Sequence, residues 1–174
     1  MTEIVKIPAE RIKVLIGEDG QTRKRIEERC RVVLMIDPDG DVEIDGDETD
    51  IFFAKDIVKA IGRGFDPKDA LKLAEHDYNL YLIPLKEIIE SDKAITRLKG
   101  RVIGERGKMR SEIEIATEST LSIHGNTIGI IARIDTMEYA KEAVSMLLDG
   151  APHSVVINYL AKARREIMAS RLKS

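Results

Sequence analysis

Ile16-Gly17-Glu18-Asp19-Gly20, with Ile26 beyond it, returns 87 residues later as Ile103-Gly104-Glu105-Arg106-Gly107, with Ile113 beyond it. The same offset carries Leu34 onto Leu121 and Ile36 onto Ile123. Farther along, Ala54-Lys55-Asp56-Ile57-Val58 matches Ala140-Lys141-Glu142-Ala143-Val144, and Gly64 matches Gly150, now at an offset of 86 that one residue of loop length explains. Self-similarity at a fixed offset predicts two copies of one module of roughly 80 residues.

Each copy reads the same way along the chain. Ile4, Val5 and Ile7 predict a strand that Pro8 ends. A short helix over residues 10–16 stops at Gly17, and a second reaches about Cys30 with Ile26 inward and Arg23, Lys24 and Arg25 outward. Residues 32–36 predict a β-branched strand, Asp37-Pro38-Asp39-Gly40 a turn, and Val42 and Ile44, alternating with acids, a half-buried strand. Ile51, Ala54, Ile57, Val58 and Ile61 fall at helical spacing before Gly62 and Gly64. The order is β-α-α-β-β-α. Asp66-Pro67 predicts a capped linker helix over residues 67–75. The second copy repeats the order over residues 78–150, and Pro152 opens a long last helix with Val156, Leu160, Ala163 and Ile167 in its apolar stripe. The expected architecture is α+β, with a first module over residues 1–64, a linker over 65–77, a second module over 78–150 and a C-terminal helix over 151–174.

Composition narrows the class. The 174 residues hold 28 Lys+Arg, 31 Asp+Glu, one cysteine and no tryptophan, with 43% apolar residues and a net charge of -3. Cys30 alone closes no intrachain disulfide, so a reducing, cytoplasmic compartment is expected. The N-terminus lacks an uninterrupted apolar h-region, and no run nears the ~20 apolar residues of a membrane span. Residues 1–90 carry a net charge of -7 and residues 91–174 a net charge of +4. Such a chain does not coat nucleic acid by charge alone, and its basic half is the one to search for an anion site.

The paired glycines carry the chemistry. Two glycines bracketing a turn let another backbone approach closely, and a following helix start turns its positive dipole end toward an anion. A glycine-capped helix corner would read alike in a single copy; recurrence in the same β-α-α-β-β-α context argues for phosphate. Lys99, Arg101, Arg106, Lys108 and Arg110 surround the second turn, whereas Glu18 and Asp19 fill the first, with Lys13, Arg23, Lys24 and Arg25 nearby as the cations that would have to offset them. A carboxylate ~4–6 Å from a phosphate costs on the order of 0.5–1 kcal/mol. The second module is therefore expected to bind, through Arg101, Val102, Ile103, Gly104, Glu105, Arg106, Gly107, Lys108 and Arg110. Gly17, Glu18, Asp19 and Gly20 form a weak or degenerate loop in a module that is structural or protein-binding.

Both modules resemble the KH domain of type I, in which a GxxG loop holds the backbone of single-stranded nucleic acid. Ala60-Ile61-Gly62-Arg63-Gly64-Phe65 with Pro67 and Ala70, and Gly150-Ala151-Pro152-His153-Ser154, resemble stretches of an archaeal family. That family is the counterpart of the eukaryotic Partner-of-Nob (Dim/Pno) small-subunit assembly factors, with Krr-type proteins as near relatives. The resemblance implies binding near the 3′ end of the small-subunit ribosomal RNA. It also implies partnership with the Nob endonuclease and with the alpha subunit of initiation factor two. Glu105, and Glu18 with Asp19, depart from the basic or polar residues the family leads one to expect.

Base contacts would come from an apolar groove drawn from Val102, Ile103, Ile113, Leu121 and Ile123, with Val102 and one strand residue at its lip. Other constellations are poor. His76, His124 and His153 lack metal-ligand spacing, the acidic run 37–50 lacks EF-hand order, and neither a P-loop nor a nucleophile–base pair occurs. No cofactor, metal, membrane contact or enzymatic turnover is expected. The basic face of the last helix (Lys162, Arg164, Arg165, Arg171, Lys173) is either a solvated outer face or an extension of the RNA track. Two other readings stand beside ribosome assembly: a general messenger-RNA binder, and a protein-interaction scaffold with degenerate loops.

Overall fold

Turn chemistry and period-2 strands set the first sheet. In the computed structural model, which describes residues 1–173, β1 (Thr2–Lys6), β2 (Val33–Ile36) and β3 (Asp41–Asp45) form an antiparallel sheet in the order β1-β3-β2. Asp37 accepts from the Asp39 N–H at 2.7 Å and Gly40 takes φ 101, so the hairpin turns where the Asp-Pro-Asp-Gly run predicts. Val5, Leu34, Val42 and Ile44 point into the core while Ile4, Val33 and Met35 face outward. The core face is closed by α1 (Ile12–Ile16), α2 (Gln21–Cys30) and α3 (Glu48–Gly62). Leu15, Ile26, Ile51, Ile57 and Ile61 are fully buried, each side chain contributing about 1.5–3 kcal/mol.

The second sheet follows the same plan. β4 (Tyr78–Pro84), β5 (Thr120–His124) and β6 (Thr127–Arg133) run in the order β4-β6-β5, with α5 (Asp92–Ile103), α6 (Lys108–Thr117), α7 (Ile134–Leu148) and α8 (His153–Lys173). Val102, Ile113, Leu121, Ile128, Ile130, Val144, Val156 and Leu160 share one core. The chain separates into two compact units, residues 1–80 and residues 81 onward.

Two helices are shorter than the sequence pattern predicts. The expected helix 10–16 is a 3₁₀ turn, Ala9–Arg11, leading into α1. The expected linker helix 67–75 is one α turn, α4 (Pro67–Ala70), continuing as a 3₁₀ turn, Leu71–Ala74. Asp66 caps α4 by accepting from the Lys68 N–H at 2.9 Å, but a segment this short lacks the length that sustains α geometry.

Both modules close their third helix alike. The Gly64 N–H reaches Ile61 O at 3.1 Å and the Phe65 N–H reaches Ala60 O at 3.0 Å; Gly150 and Ala151 repeat this at 3.2 and 2.9 Å onto Leu147 O and Met146 O. A guanidinium then staples each end. Arg11 donates through Nε to Ile61 O at 2.7 Å and through Nη2 to Phe65 O at 3.0 Å. Arg101 donates through Nε to Leu147 O at 2.8 Å and through Nη2 to Ala151 O.

Candidate nucleic-acid interface

The two GxxG turns share one backbone. Gly17 (φ 76, ψ 175), Asp19 (φ 54, ψ 28) and Gly20 (φ 73, ψ 12) match Gly104 (φ 75, ψ 175), Arg106 (φ 56, ψ 27) and Gly107 (φ 74, ψ 12). Each glycine has its own reason. A Cβ on Gly104 would lie 2.7 Å from Met109 Cβ, and one on Gly17 would lie 2.3 Å from Thr22 Oγ1, so packing on the next helix excludes a side chain. A Cβ on Gly20 or Gly107 would meet nothing within 4 Å. The second glycine of each pair is set by its positive φ and faces open space, where another chain's backbone can come close.

The turn is more self-contained than a free helix end. Residues Glu105–Gly107 form a 3₁₀ turn running into α6. The Gly107 N–H donates to Gly104 O at 3.2 Å and the Lys108 N–H to Glu105 O. These two groups are used inside the turn, so attraction for an anion rests on the dipole end of α6 and on nearby cations. Arg106 and Lys108 are exposed, and neither makes an ion pair among the described residues. In the first turn Asp19 stands where Arg106 does and Gln21 where Lys108 does, while Glu18 matches Glu105.

The residues singled out from the sequence divide into two groups. Ile103, Gly104, Glu105, Arg106, Gly107, Lys108 and Arg110 lie along the accessible tip of the turn and the start of α6. Val102 does not: it is fully buried in the core of its module, so Ile103, half-buried, stands at the lip in its place. Ile113 and Leu121 are core residues too, which leaves Ile123 as the half-buried strand contributor. Arg101 is turned away from the GxxG tip, its guanidinium on the two carbonyls that end α7.

One device escaped the sequence reading. Glu114 Oε2 accepts the Leu121 N–H at 2.9 Å and lies 3.7 Å from Arg110 Nε. Glu27 does the same for Leu34 at 2.9 Å, with Arg23 at 3.8 Å. The signal was present, since both glutamates and both leucines recur at the 87-residue offset. Each carboxylate fixes the helix after the GxxG turn against the strand that borders the groove.

A family model described as a eukaryotic-type KH domain (KH-domain type I) matches residues 79–165, and a KH-domain model matches residues 2–60. A KH domain-containing protein from Methanocaldococcus jannaschii is 45% identical over 98% of this chain and 78% of its own length. Dim2p from Pyrococcus horikoshii superposes with a TM-score of 0.87 at 40% identity, covering 93% of this chain and 99% of that one. A chain of the a/eIF2alpha–aDim2p–rRNA complex from that organism gives 0.88 at 40% identity, with 95% of each chain covered. The chain belongs to the Pno/Dim2 family of KH-domain proteins. The pre-rRNA-processing protein PNO1 of Chaetomium thermophilum is 32% identical over 68% of this chain, which spans 45% of that longer protein.

Two further residues of this Pno/Dim2 protein, His76 and Cys30, sit in packed surroundings. His76 packs edge-on against Phe53 at 4.8 Å between ring centroids. Cys30 is buried, and burial pushes its thiol up to about 11, well out of the nucleophilic range at neutral pH. Among the described residues, no group of three or more His, Cys, Asp or Glu could hold a metal ion. No described helix is long and apolar enough to cross a membrane.

Proposed function

We propose that this protein binds single-stranded small-subunit ribosomal RNA near its 3′ end, through its second KH module, during assembly of the small subunit. The observation that carries the reading is one backbone bearing different charge: unpaired Arg106 and Lys108 on the second turn, Asp19 and Gln21 at the matching positions of the first, with a glutamate (Glu105, Glu18) common to both. Gly107 leaves the room a phosphodiester needs, and Ile103 and Ile123 supply apolar contact for a base. The P. horikoshii relative was solved with rRNA and the alpha subunit of initiation factor two, which supports both as partners here. The Nob endonuclease is proposed as a further partner from the family resemblance.

A single substitution tests the role of the turn. Arg106→Asp gives the second turn the sequence of the first, and Asp19→Arg does the reverse. In fluorescence anisotropy with an RNA copying the small-subunit 3′ end, Arg106→Asp should weaken binding by about tenfold or more and lower the salt slope by about one. A scrambled RNA should bind less well than the 3′-end copy. Unchanged affinity in Arg106→Asp would remove the assignment to the second module.

The acidic hairpin favours a protein-binding role for the first module. Asp41, Glu43 and Asp45 alternate with the core-facing Val42 and Ile44, and Ile4 and Met35 sit opposite Glu43 on the neighbouring strands. This acidic and apolar face suits a basic protein partner. Reversing charge at Asp39, Asp41 and Glu43 should weaken capture of the alpha subunit of initiation factor two while RNA affinity stays the same. An unchanged dissociation constant for that subunit would count against this docking face.

A further inference from the structure

α8 buries only one of its faces. Val156, Leu160, Ala163 and Ile167 pack inward, and the adjoining flank, one helical step round, carries Ile157, Ala161, Arg164 and Met168. With Glu112, Ile115 and Ala116 of α6, this flank lines a groove of about 290 Å³. Its walls remain in solvent: Ile115 is 60% exposed, Met168 58% and Ile157 37%, and Leu172, one turn beyond Met168, is 89% exposed. Large apolar side chains gathered along one groove mark an interaction surface more often than scattered single residues do.

The charges at the groove choose the occupant. Arg164 and Arg165 stand on it, and neither makes an ion pair among the described residues. Arg171 of the same helix is by contrast held by Asp135 and Glu118. Glu112 is the groove's one acidic residue against two arginines. The floor is aliphatic, without the aromatic faces on which single-stranded bases stack. Two packed helices with an apolar floor and a cationic edge form the receptor of a helix-in-groove contact.

We propose that the α6–α8 groove docks an amphipathic helix of a protein partner, whose apolar face meets Ile115, Ile157 and Met168 and whose acidic flank pairs with Arg164 and Arg165. The site is separate from the GxxG turn and does not depend on the RNA reading.

The test places a photocrosslinking residue at Ala161 of the full-length chain in cells and reads the crosslinked peptide by mass spectrometry. The expected product is a protein segment with apolar residues at helical spacing and Asp or Glu beside them. A synthetic peptide of that segment should bind the purified protein and lose about tenfold in affinity to the Arg164→Glu, Arg165→Glu variant. Replacing the peptide's acids with lysine should restore binding to that variant. Both arginines are exposed, so the variant should keep its melting temperature. Crosslinks to RNA or to a second copy of the chain, absence of any crosslink, or a peptide indifferent to the charge reversal would each overturn the proposal.

Discussion

Asp19 and Arg106 occupy the same left-handed position of the same turn, at φ 54 and φ 56. Aspartate tolerates that conformation because its short side chain bonds locally; a long cation gains no such relief and bears a cost of about 1–2 kcal/mol. The first module thus places a comfortable residue there and the second a strained one. Strain of this kind is often found at functional positions, and Arg106 is exposed beside Gly107, where a Cβ would meet nothing within 4 Å. Shape and chemistry are separable in this fold. The turn is the same in both copies, and what differs within it is the charge at one position, Asp19 in the first and Arg106 in the second.

Core substitutions should break the comparison most severely. Ile26 and Ile113 are fully buried at matching positions. Ile113→Ala should cost its module about 2–5 kcal/mol in urea unfolding and reduce RNA binding along with it. Ile26→Ala should cost the first module as much and leave RNA affinity within about twofold. Equal loss of RNA by both variants would mean that the roles are not divided.

The glycine pairs sharpen it next. Gly104→Ala must displace Met109 as well as bear the φ penalty, for a total of about 2–4 kcal/mol. Gly107→Ala meets only the φ penalty, about 1 kcal/mol, and its methyl enters the open space beside the turn, where the proposed site puts the RNA backbone. Thermal melts should rank Gly104→Ala as the more damaging, while anisotropy measured well below both transitions should register the loss at Gly107→Ala.

The smallest effect lies at the helix ends. Arg31 and Glu118 both close their helices in the left-handed region, at φ 57 and φ 53, with opposite charges. Arg31 pairs with Asp50 of α3 at 2.9 Å, whereas Glu118 pairs with Arg171 of α8, which also holds Asp135. The hydrogen bond from Arg171 keeps the Asp135 carboxyl below its ordinary value. Its contribution is therefore present above about pH 4 and fades as pH falls through the depressed value. Arg171→Ala should lower the melting temperature slightly at neutral pH, and the gap from the native protein should narrow in acid. A gap that widened in acid would contradict the pairing.

Local signals were the readable ones. Glycine and proline punctuation, the alternation in β3 and the helical spacing in α3 were visible because each depends on residues a few positions apart. Tertiary partners were not. The side chain of Arg101 looks from the sequence like one more cation near the loop, and its staple onto carbonyls 46 and 50 residues away is visible only in the fold. Val102 and Ile103 are neighbours of equal apolar character, and only the rotation of α5 decides which one is sealed in the core. The groove beside α8 was equally hidden, because it needs α6 and α8 packed together before Ile115 and Met168 share a wall.

The two arginine staples also limit how such a duplicated gene can recombine. Their acceptors correspond between copies, Ile61 with Leu147 and Phe65 with Ala151, but their donors do not: Leu98 stands where the alignment puts Arg11, and Val14 where it puts Arg101. Exchanging the whole helical pair would carry one donor across in either direction. A crossover between the two donor positions would yield one product with two guanidiniums competing for the same carbonyls and one with none. The shifted position of a single hydrogen-bond donor thus makes the stretch between residues 11 and 14 a breakpoint that would cost one product its staple, whereas exchange of the whole helical pair would keep one in each.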